Sequence, residues 1–504
     1  MSKVLERRPT LFLALLPVVF LIGLLVLNVV YYGDMATSGA NQIALIIAAA
    51  VAVLIGLRLG LPFNRLLKGA VNSITASLPA ILILLLIGAL AGTWLISGIV
   101  PAMIYYGLKV LNPTIFLFAT VIVCCVVSLA TGSSWSTVAT VGIALLGIGK
   151  ALQLHEGLIA GAIISGAYFG DKISPMSDTT NLAPAMAGAD LFTHIRYMMY
   201  TTVPSIMVAL LIFLSFGLFS DHVSSVQNTD ALSAAIDGRF LIHPVLFVVP
   251  AIVIWMIIRK VNALPALLIG SLFGGLFAVI FQPQIVAEVS GINGSYWKQS
   301  YMAIINAMST EVKVTTDNEI ASGLLKARGM FGMLNTVWLI LCALSFGGIM
   351  EEAGLLKRIT SPLVNKAKST GSLVATTAGS CVFVNVTASD QYLSIVVPGK
   401  MFAETFKERN LAPENLSRTL EDSGTVTSVL VPWNTCGATQ TAVLGVSTFV
   451  YAPYCFFNIL SPFMTVIFAY AGIKIAKLSK GEAAKVHPQP LSDEPEDKPV
   501  DYIQ

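Results

Sequence analysis

The sequence has little charge for its length, and this shortage limits the kinds of protein it can encode. Asp, Glu, Lys and Arg make up 11% of its 504 residues, whereas apolar residues make up 56%. An ordinary soluble domain has roughly a quarter of its residues charged. A soluble core cannot absorb so much apolar surface, which excludes a soluble enzyme, a disordered protein and a nucleic-acid binder. We expect lipid to be the solvent for most of the chain.

Histidine and cysteine are also scarce. The five histidines form no cluster, and the six cysteines have no metal-type spacing. We therefore expect the cysteines to be packing residues rather than disulfides or metal ligands. The sequence has no phosphate-binding loop, nucleophile elbow or HExxH motif. It predicts neither an enzyme nor an ATP-driven pump, and it implies no cofactor.

Long apolar runs predict an all-α polytopic membrane protein. The first run extends from Leu11 to about Tyr32, and no small-residue cleavage site follows it, so we interpret it as a span rather than a signal peptide. Counting shorter and broken segments, we expect about 11–14 membrane segments. Lys and Arg flank the first and last spans, which predicts cytoplasmic termini.

Two parts of the chain resemble each other. The pairs that match in order are Gly98 with Gly348, Ser133 with Ser389, and Pro175 with Pro432. The span that ends near Gly98 is expected to end outside. The span that ends near Gly348 is followed by Lys357 and Arg358, so the positive-inside rule makes it end inside and gives the two copies opposite orientations. Inverted repeats are common in secondary transporters, whose substrate sites lie near the bilayer midplane. Chance similarity between apolar segments is the alternative.

The repeats suggest a division of the chain, with a re-entrant hairpin and a broken helix in each repeat. The predicted parts are N-terminal spans (1–78), a first repeat (79–219; hairpin near 131–150, broken helix near 165–186), a linker with two spans and an external loop (220–330), a second repeat (331–478; hairpin near 387–408, broken helix near 421–438) and a disordered cytoplasmic tail (479–504).

Polar clusters interrupt the apolar segments, and in a membrane such residues indicate a functional site. Oxygen ligands and freed backbone carbonyls suit a hard cation such as Na⁺. The candidate cation or proton ligands are Asp171, Asp178, Thr179, Asn181, Asp390, Asn434 and Thr435, and the substrate-region hydroxyls are Thr131, Ser133, Ser134 and Thr387. The alternatives are hydroxyls that join helices, an interfacial loop and a structural aspartate.

Asp390 lies between two apolar runs and is the strongest candidate for ion exchange. A buried carboxylate can trade a cation for a proton, because burial disfavours its charge and a bound cation stabilises it. Glu421 and Asp422 end a charged segment, so we expect them at the cytoplasmic edge instead.

Four segments resemble the NhaC family of bacterial sodium/proton antiporters. They are GAYFGDKISPMSDTTNLAPA (166–185), GMFGMLNTVWLILCALSFGGIMEEAGLL (329–356), TASDQYLSIVVPGKMF (387–402) and TLEDSGTVTSVLVPWNTCGA (419–438). The resemblance implies two inverted repeats, a scaffold and a transport domain, a homodimer in the bacterial inner membrane and an elevator-like movement. It also adds Ser174 and Ser389 to the candidate cation ligands.

These observations predict a secondary transporter that exchanges Na⁺ for H⁺ at midplane carboxylates, with Li⁺ as a second candidate ion. The family also includes exchangers of malate against lactate and amino-acid carriers. An exchanger of organic carboxylates or amino acids coupled to Na⁺ is therefore the alternative. An ion channel is a third hypothesis, which inverted repeats and broken helices disfavour. The expected partners are the transported ions, a small organic solute, lipid and a second copy of the chain.

Overall fold

A computed structural model of the chain describes residues 9–478, apart from 33–35, 37, 111–112, 220–224, 260, 360–366 and 368. The predicted tail (479–504) and the basic N-terminal residues lie outside the described residues. Nearly all regular structure in the described part is helical.

The helices of the first half are α1 (Leu11–Tyr32), α2 (Ala40–Arg58), α3 (Phe63–Ile96), α4 (Ile99–Val110), α5 (Pro113–Thr131), α6 (Ser134–Thr137), α7 (Ile143–Ala151), α8 (Glu156–Ile173), α9 (Asp178–Ala187), α10 (Leu191–Phe219) and α11 (Ser225–Asp237). A π-helical turn, Val138–Gly142, joins α6 to α7.

The helices of the second half are α12 (Val248–Ile258), α13 (Ala263–Phe281), α14 (Pro283–Ser290), α15 (Tyr296–Ser309), α16 (Glu319–Leu324), α17 (Leu334–Glu352), α18 (Thr370–Thr387), α19 (Gln391–Glu408), α20 (Pro413–Leu420), α21 (Thr435–Leu444), α22 (Thr448–Tyr451) and α23 (Phe456–Tyr470). A π-helical turn, Glu421–Thr425, follows α20, and 3₁₀ turns occupy Pro244–Phe247, Phe331–Met333, Ser428–Leu430 and Ala452–Tyr454.

Seven of the described helices are long and apolar enough to cross a membrane. These are α1, α2, α3, α5, α10, α13 and the helix Phe331–Glu352 that contains α17. An eighth span results if Thr448–Tyr454 and Phe456–Tyr470, which meet at a bend of 54°, are counted together. The chain is thus an α-helical polytopic membrane protein. The larger predicted number of segments, the inverted repeats and the re-entrant hairpins stay predictions.

The longest helix, α3, determines how the rest of the fold is arranged. Its 34 residues extend about 51 Å at 1.5 Å per residue, well beyond the ~30 Å hydrocarbon layer. It packs against α13, α15 and α17. The predicted boundary between the N-terminal spans and the first repeat, at residues 78 and 79, falls inside this helix. The sequence shows only its apolar second half as a span, because Arg65 and Lys68 make the first half polar.

The polar stretch 284–330, expected to be an external loop, is folded instead. It contains α14, α15, α16 and two short antiparallel strands, β1 (Val312–Lys313) and β2 (Lys326–Ala327). A Cβ atom on Gly92 of α3 would lie 1.8 Å from the carbonyl oxygen of Ala307, so only glycine permits this approach of α15. The strand pair is a small exception to the all-α prediction.

The core consists of apolar side chains shared between these helices. One large cluster joins the second half of α3 with α5, α8, α10 and α13, and a second joins α1, α2 and the first half of α3 with α17. All six cysteines are buried with free thiols. The polar residues described next lie where α3 passes between these helices.

Candidate functional site

Two helix breaks share one backbone design. At each, a left-handed residue, Gly132 (φ 67°) or Ser389 (φ 60°), precedes the residue that caps the next helix. Ser133 Oγ accepts from the Ser136 amide at 3.2 Å, and Asp390 Oδ1 accepts from the Leu393 amide at 3.0 Å. By backbone role the structure pairs Ser133 with Asp390, one residue away from the predicted match with Ser389.

Two further helices begin after a proline. Ser177 precedes α9 two residues beyond Pro175, and Asn434 precedes α21 two residues beyond Pro432. The Asn434 side chain accepts from the amide of Cys436 at 3.0 Å. Together with the breaks above, four helical segments start around one region. Their N-termini carry partial positive charge, and this charge stabilises carboxylates placed there.

A central cavity of about 170 Å³ lies at these helix starts. Seven of the predicted residues line it: Ser133, Ser134, Asp171, Asp178, Thr179, Asp390 and Thr435. The structure therefore brings three carboxylates and four hydroxyls, from sequence positions more than 250 residues apart, to one place. We call this group the central cavity.

Asp171 is held firmly at the cavity wall. It is buried, and its Oδ2 accepts hydrogen bonds from the Ser134 amide at 3.0 Å and the Ser134 hydroxyl at 2.7 Å. The end of α8 is thereby fastened to the start of α6. A charge-assisted contact of this kind is stronger than a neutral one, so the carboxylate has a fixed orientation.

Asp390 is the second buried carboxylate of the cavity. Its Oδ1 caps α19, and its Oδ2 accepts from the Ser77 hydroxyl of α3 at 3.3 Å. Asp178, the third carboxylate, starts α9 and is exposed at the cavity edge. The buried pair and the exposed Asp178 give the cavity oxygen ligands on several sides, as a hard cation requires.

The other predicted residues make hydrogen bonds away from the cavity. Each donor bonds within its own break or to an adjacent helix: Ser174 to Leu129 O (2.9 Å), Asn181 to Ser177 O (2.7 Å), Thr387 to Phe383 O (2.8 Å), Asn434 to Asn385 Oδ1 (3.1 Å) and Thr131 to Ser128 O (3.4 Å). Ser389 is buried, and its hydroxyl has no partner among the described residues. In this structure none of these six residues lines the central cavity.

Sequence reasoning missed several lining residues. Ser77, Trp135, Ser177, Gln391 and Tyr392 also face the central cavity. Ser77 could have been found, because it ends a cluster of small polar residues that begins at Asn72, just before the apolar half of α3. The aromatic residues carry no comparable signal, since aromatic side chains are common throughout membrane spans.

Glu421 and Asp422, which the sequence predicts at the cytoplasmic edge, do not contact water in the structure. Both side chains are fully buried, because the π-helical turn directs them into the protein. Asp422 forms an ion pair with Lys172, which is also fully buried, and accepts from the Thr201 hydroxyl at 2.7 Å. Glu421 Oε1 accepts from the Thr179 hydroxyl at 3.1 Å. The ion pair explains how the charges of Asp422 and Lys172 are tolerated away from water.

Two further cavities lie along α3. The vestibule, about 740 Å³, is lined by Arg65, Glu351 and Glu352 among others, and shares Ser77, Asp390 and Tyr392 with the central cavity. The distal cavity, about 360 Å³, touches α3 at Ala91 and Leu95. The central cavity touches α3 no further along than Ile83, so about 12 Å of helix separates it from the distal cavity. Among the described residues, the central cavity therefore adjoins the vestibule and shares no lining residue with the distal cavity.

The sequence family agrees with this geometry. Residues 166–473, which include all three cavity carboxylates, match the Na⁺/H⁺ antiporter family. The chain belongs to this family. It is 38% identical to the Na⁺/H⁺ antiporter NhaC of Alkalihalophilus pseudofirmus over 436 residues, covering 86% of this chain and 91% of that one.

Relatives with other substrates are similar over even more of the chain. The malate-2H⁺/Na⁺-lactate antiporter of Bacillus subtilis is 36% identical, covering 92% of this chain and 96% of that one. The arginine/ornithine antiporter ArcD of Halobacterium salinarum is 34% identical, covering 93% and 94% respectively. The relatives are transporters, and their substrates differ at comparable identity.

Proposed function

We propose that this protein exchanges Na⁺ for H⁺ and that the two ions compete for the carboxylates of the central cavity. The observation that carries the proposal is the position of Asp171 and Asp390, two buried carboxylates from distant parts of the sequence that line one small cavity. Oxygen ligands suit Na⁺, and each carboxylate can take a proton in its place. Both ions are the cargo, and no cofactor is required.

Alternating access links this competition between Na⁺ and H⁺ to their transfer across the membrane. The central cavity shares Ser77, Asp390 and Tyr392 with the vestibule toward one end of α3 and no lining residue with the distal cavity toward the other end. A transport cycle needs a second state in which the central cavity adjoins the distal cavity instead of the vestibule. We propose an elevator-like movement for that step, in a homodimer of the inner membrane with cytoplasmic termini, and place the vestibule on the cytoplasmic side because Arg65 lies at its mouth.

The test uses purified protein in liposomes that contain a pH-sensitive dye. A Na⁺ gradient is applied in the absence of any organic solute. The proposal expects proton movement that depends on Na⁺ and vanishes in liposomes without protein. Absence of proton movement in liposomes that hold correctly folded protein would refute simple antiport.

A second candidate function is Na⁺-coupled exchange of an organic acid or amino acid. The central cavity, at about 170 Å³, has the volume of about five waters at ~30 Å³ each, which is more than a bare Na⁺ needs. Four helical segments begin at its wall, and helix N-termini attract carboxylates. Exchange that requires malate, lactate or an amino acid in addition to Na⁺ would favour this candidate.

A further inference from the structure

The distal cavity differs from the vestibule in charge. Its charged residues are Lys150, Glu156, Lys326 and Arg328. Lys150 and Glu156 form an ion pair with 3.0 Å between nitrogen and oxygen, so their charges cancel. Lys326 and Arg328 are exposed, and neither has an acidic partner in the part of the chain that the structure describes. The distal cavity therefore carries two uncompensated positive charges.

The vestibule has the opposite balance. Arg65 and Glu352 form an ion pair at 2.7 Å, which leaves Glu351 and the buried Asp390 on its wall. A vestibule with surplus carboxylates attracts cations, whereas the distal cavity attracts anions. The two cavities, which lie toward opposite ends of α3, thus attract solutes of opposite charge.

Arg328 also lies next to the packed part of α3 that separates the residues lining the central cavity from those lining the distal cavity. The following residue, Gly329, places its carbonyl oxygen against α3, where a Cβ atom on Gly88 would lie 2.4 Å away. This contact belongs to the packed region between Ile83 and Ala91. An anion bound at Arg328 would therefore sit beside this packed region of α3.

We propose that the distal cavity binds a small organic anion with one or two carboxylate groups, through Lys326 and Arg328. Its volume of about 360 Å³ falls within the range of small-molecule sites, roughly 300–1,000 Å³. A guanidinium group can bind a carboxylate through two parallel hydrogen bonds. The inference deepens the second candidate function, because it gives the organic substrate an entry site.

Binding to purified protein tests this inference separately from transport. Lactate, malate and chloride are titrated by calorimetry into the wild type and into the variants Arg328→Gln and Lys326→Gln. Lys298→Gln is the matched control, since Lys298 is an exposed lysine of α15 that does not line the distal cavity. We expect each cavity variant to weaken lactate or malate binding about tenfold, the loss of roughly one charge-assisted hydrogen bond, while the control binds as the wild type does.

Three results would overturn the inference: no carboxylate binding by the wild type, equal affinity in wild type and cavity variants, or chloride binding as tight as malate and equally sensitive to the variants. Melting temperatures show whether each variant is folded, and the exposed positions of both residues make loss of folding unexpected. Na⁺-driven proton movement without organic solute is measured on the same variants. Its absence in the wild type would refute simple antiport while the binding result stands.

Discussion

Ser134 donates two hydrogen bonds to Asp171, one from its amide and one from its hydroxyl. This contact joins the end of α8 to the first residue of α6, so a carboxylate of one broken segment caps the next. The same carboxylate lines the central cavity. Under the proposed function, the local fold and ion binding both depend on the Asp171 carboxylate, and a variant that disturbs its hydrogen bonds should disturb exchange.

Replacing Ser134 by alanine removes the 2.7 Å hydroxyl contact and leaves the amide contact in place. A hydrogen bond to a charged group contributes about 1.5–3 kcal/mol, so Asp171 becomes less well oriented. We expect the Na⁺ concentration for half-maximal exchange to rise about tenfold. Ser134→Thr, which keeps a hydroxyl, should stay close to the wild type, and an unchanged Ser134→Ala variant would contradict the role assigned to this contact.

Asp390→Asn tests the carboxylate on the other side of the cavity. The amide can still cap α19 through its oxygen, so the helix start should persist, but it cannot alternate between Na⁺ and H⁺. We expect Na⁺-dependent proton movement in liposomes to fall about a hundredfold or more, as when a group that transfers protons is removed. Asp317→Asn changes an exposed aspartate of the folded stretch 284–330; it is the matched control and should exchange normally.

Lys172→Met leaves the buried Asp422 without its ion-pair partner. Removing one member of a buried pair costs about 3–5 kcal/mol, so the variant should unfold at a distinctly lower temperature in detergent. Lys150→Met breaks an ion pair whose members are partly exposed and should cost less than about 1 kcal/mol. If Lys172→Met/Asp422→Asn is no more stable than Lys172→Met alone, the two charges are not energetically coupled as proposed.

Ser389 occupies a left-handed backbone position that glycine adopts without strain. Its hydroxyl has no partner in the described part of the chain, so Ser389→Gly should change the free energy of unfolding by less than about 1 kcal/mol. A β-branched residue is strained there, and Ser389→Val should destabilise the protein by about 2 kcal/mol or more. Thermal unfolding of the two variants compares these costs, and equal stability would argue against the left-handed break.

The sequence predicted the helical membrane fold, because long apolar runs predict membrane helices, and it picked out candidate site residues because polar clusters contrast sharply with apolar surroundings. Seven predicted residues meet in one cavity for the same reason. The burial of Glu421 and Asp422 was missed because a charged run ordinarily ends at an interface, and only tertiary structure shows Lys172 opposite Asp422. The full length of α3 was missed because hydropathy detects the apolar half of a helix and not its polar continuation.

Sequence comparison matched Ser133 with Ser389, whereas Ser133 corresponds to Asp390 by backbone role, and the cause is similar. Sequence comparison aligns identical residue types, whereas the backbone requires a left-handed residue followed by a cap. Gly132 is the left-handed residue in one break and Ser389 in the other. The two serines therefore match as residue types, but Ser133 is a helix cap and Ser389 is not. Such a shift of one residue becomes visible only when φ angles are known.

The most direct test of the account is the response of internal pH to a Na⁺ gradient in liposomes, with no organic solute present. The account predicts prompt Na⁺-dependent proton movement by the wild type and its loss in Asp390→Asn. Normal exchange by Asp390→Asn would contradict the assignment of the central cavity. A wild type that moves protons only when malate, lactate or an amino acid is added would contradict simple antiport and establish the organic exchanger instead.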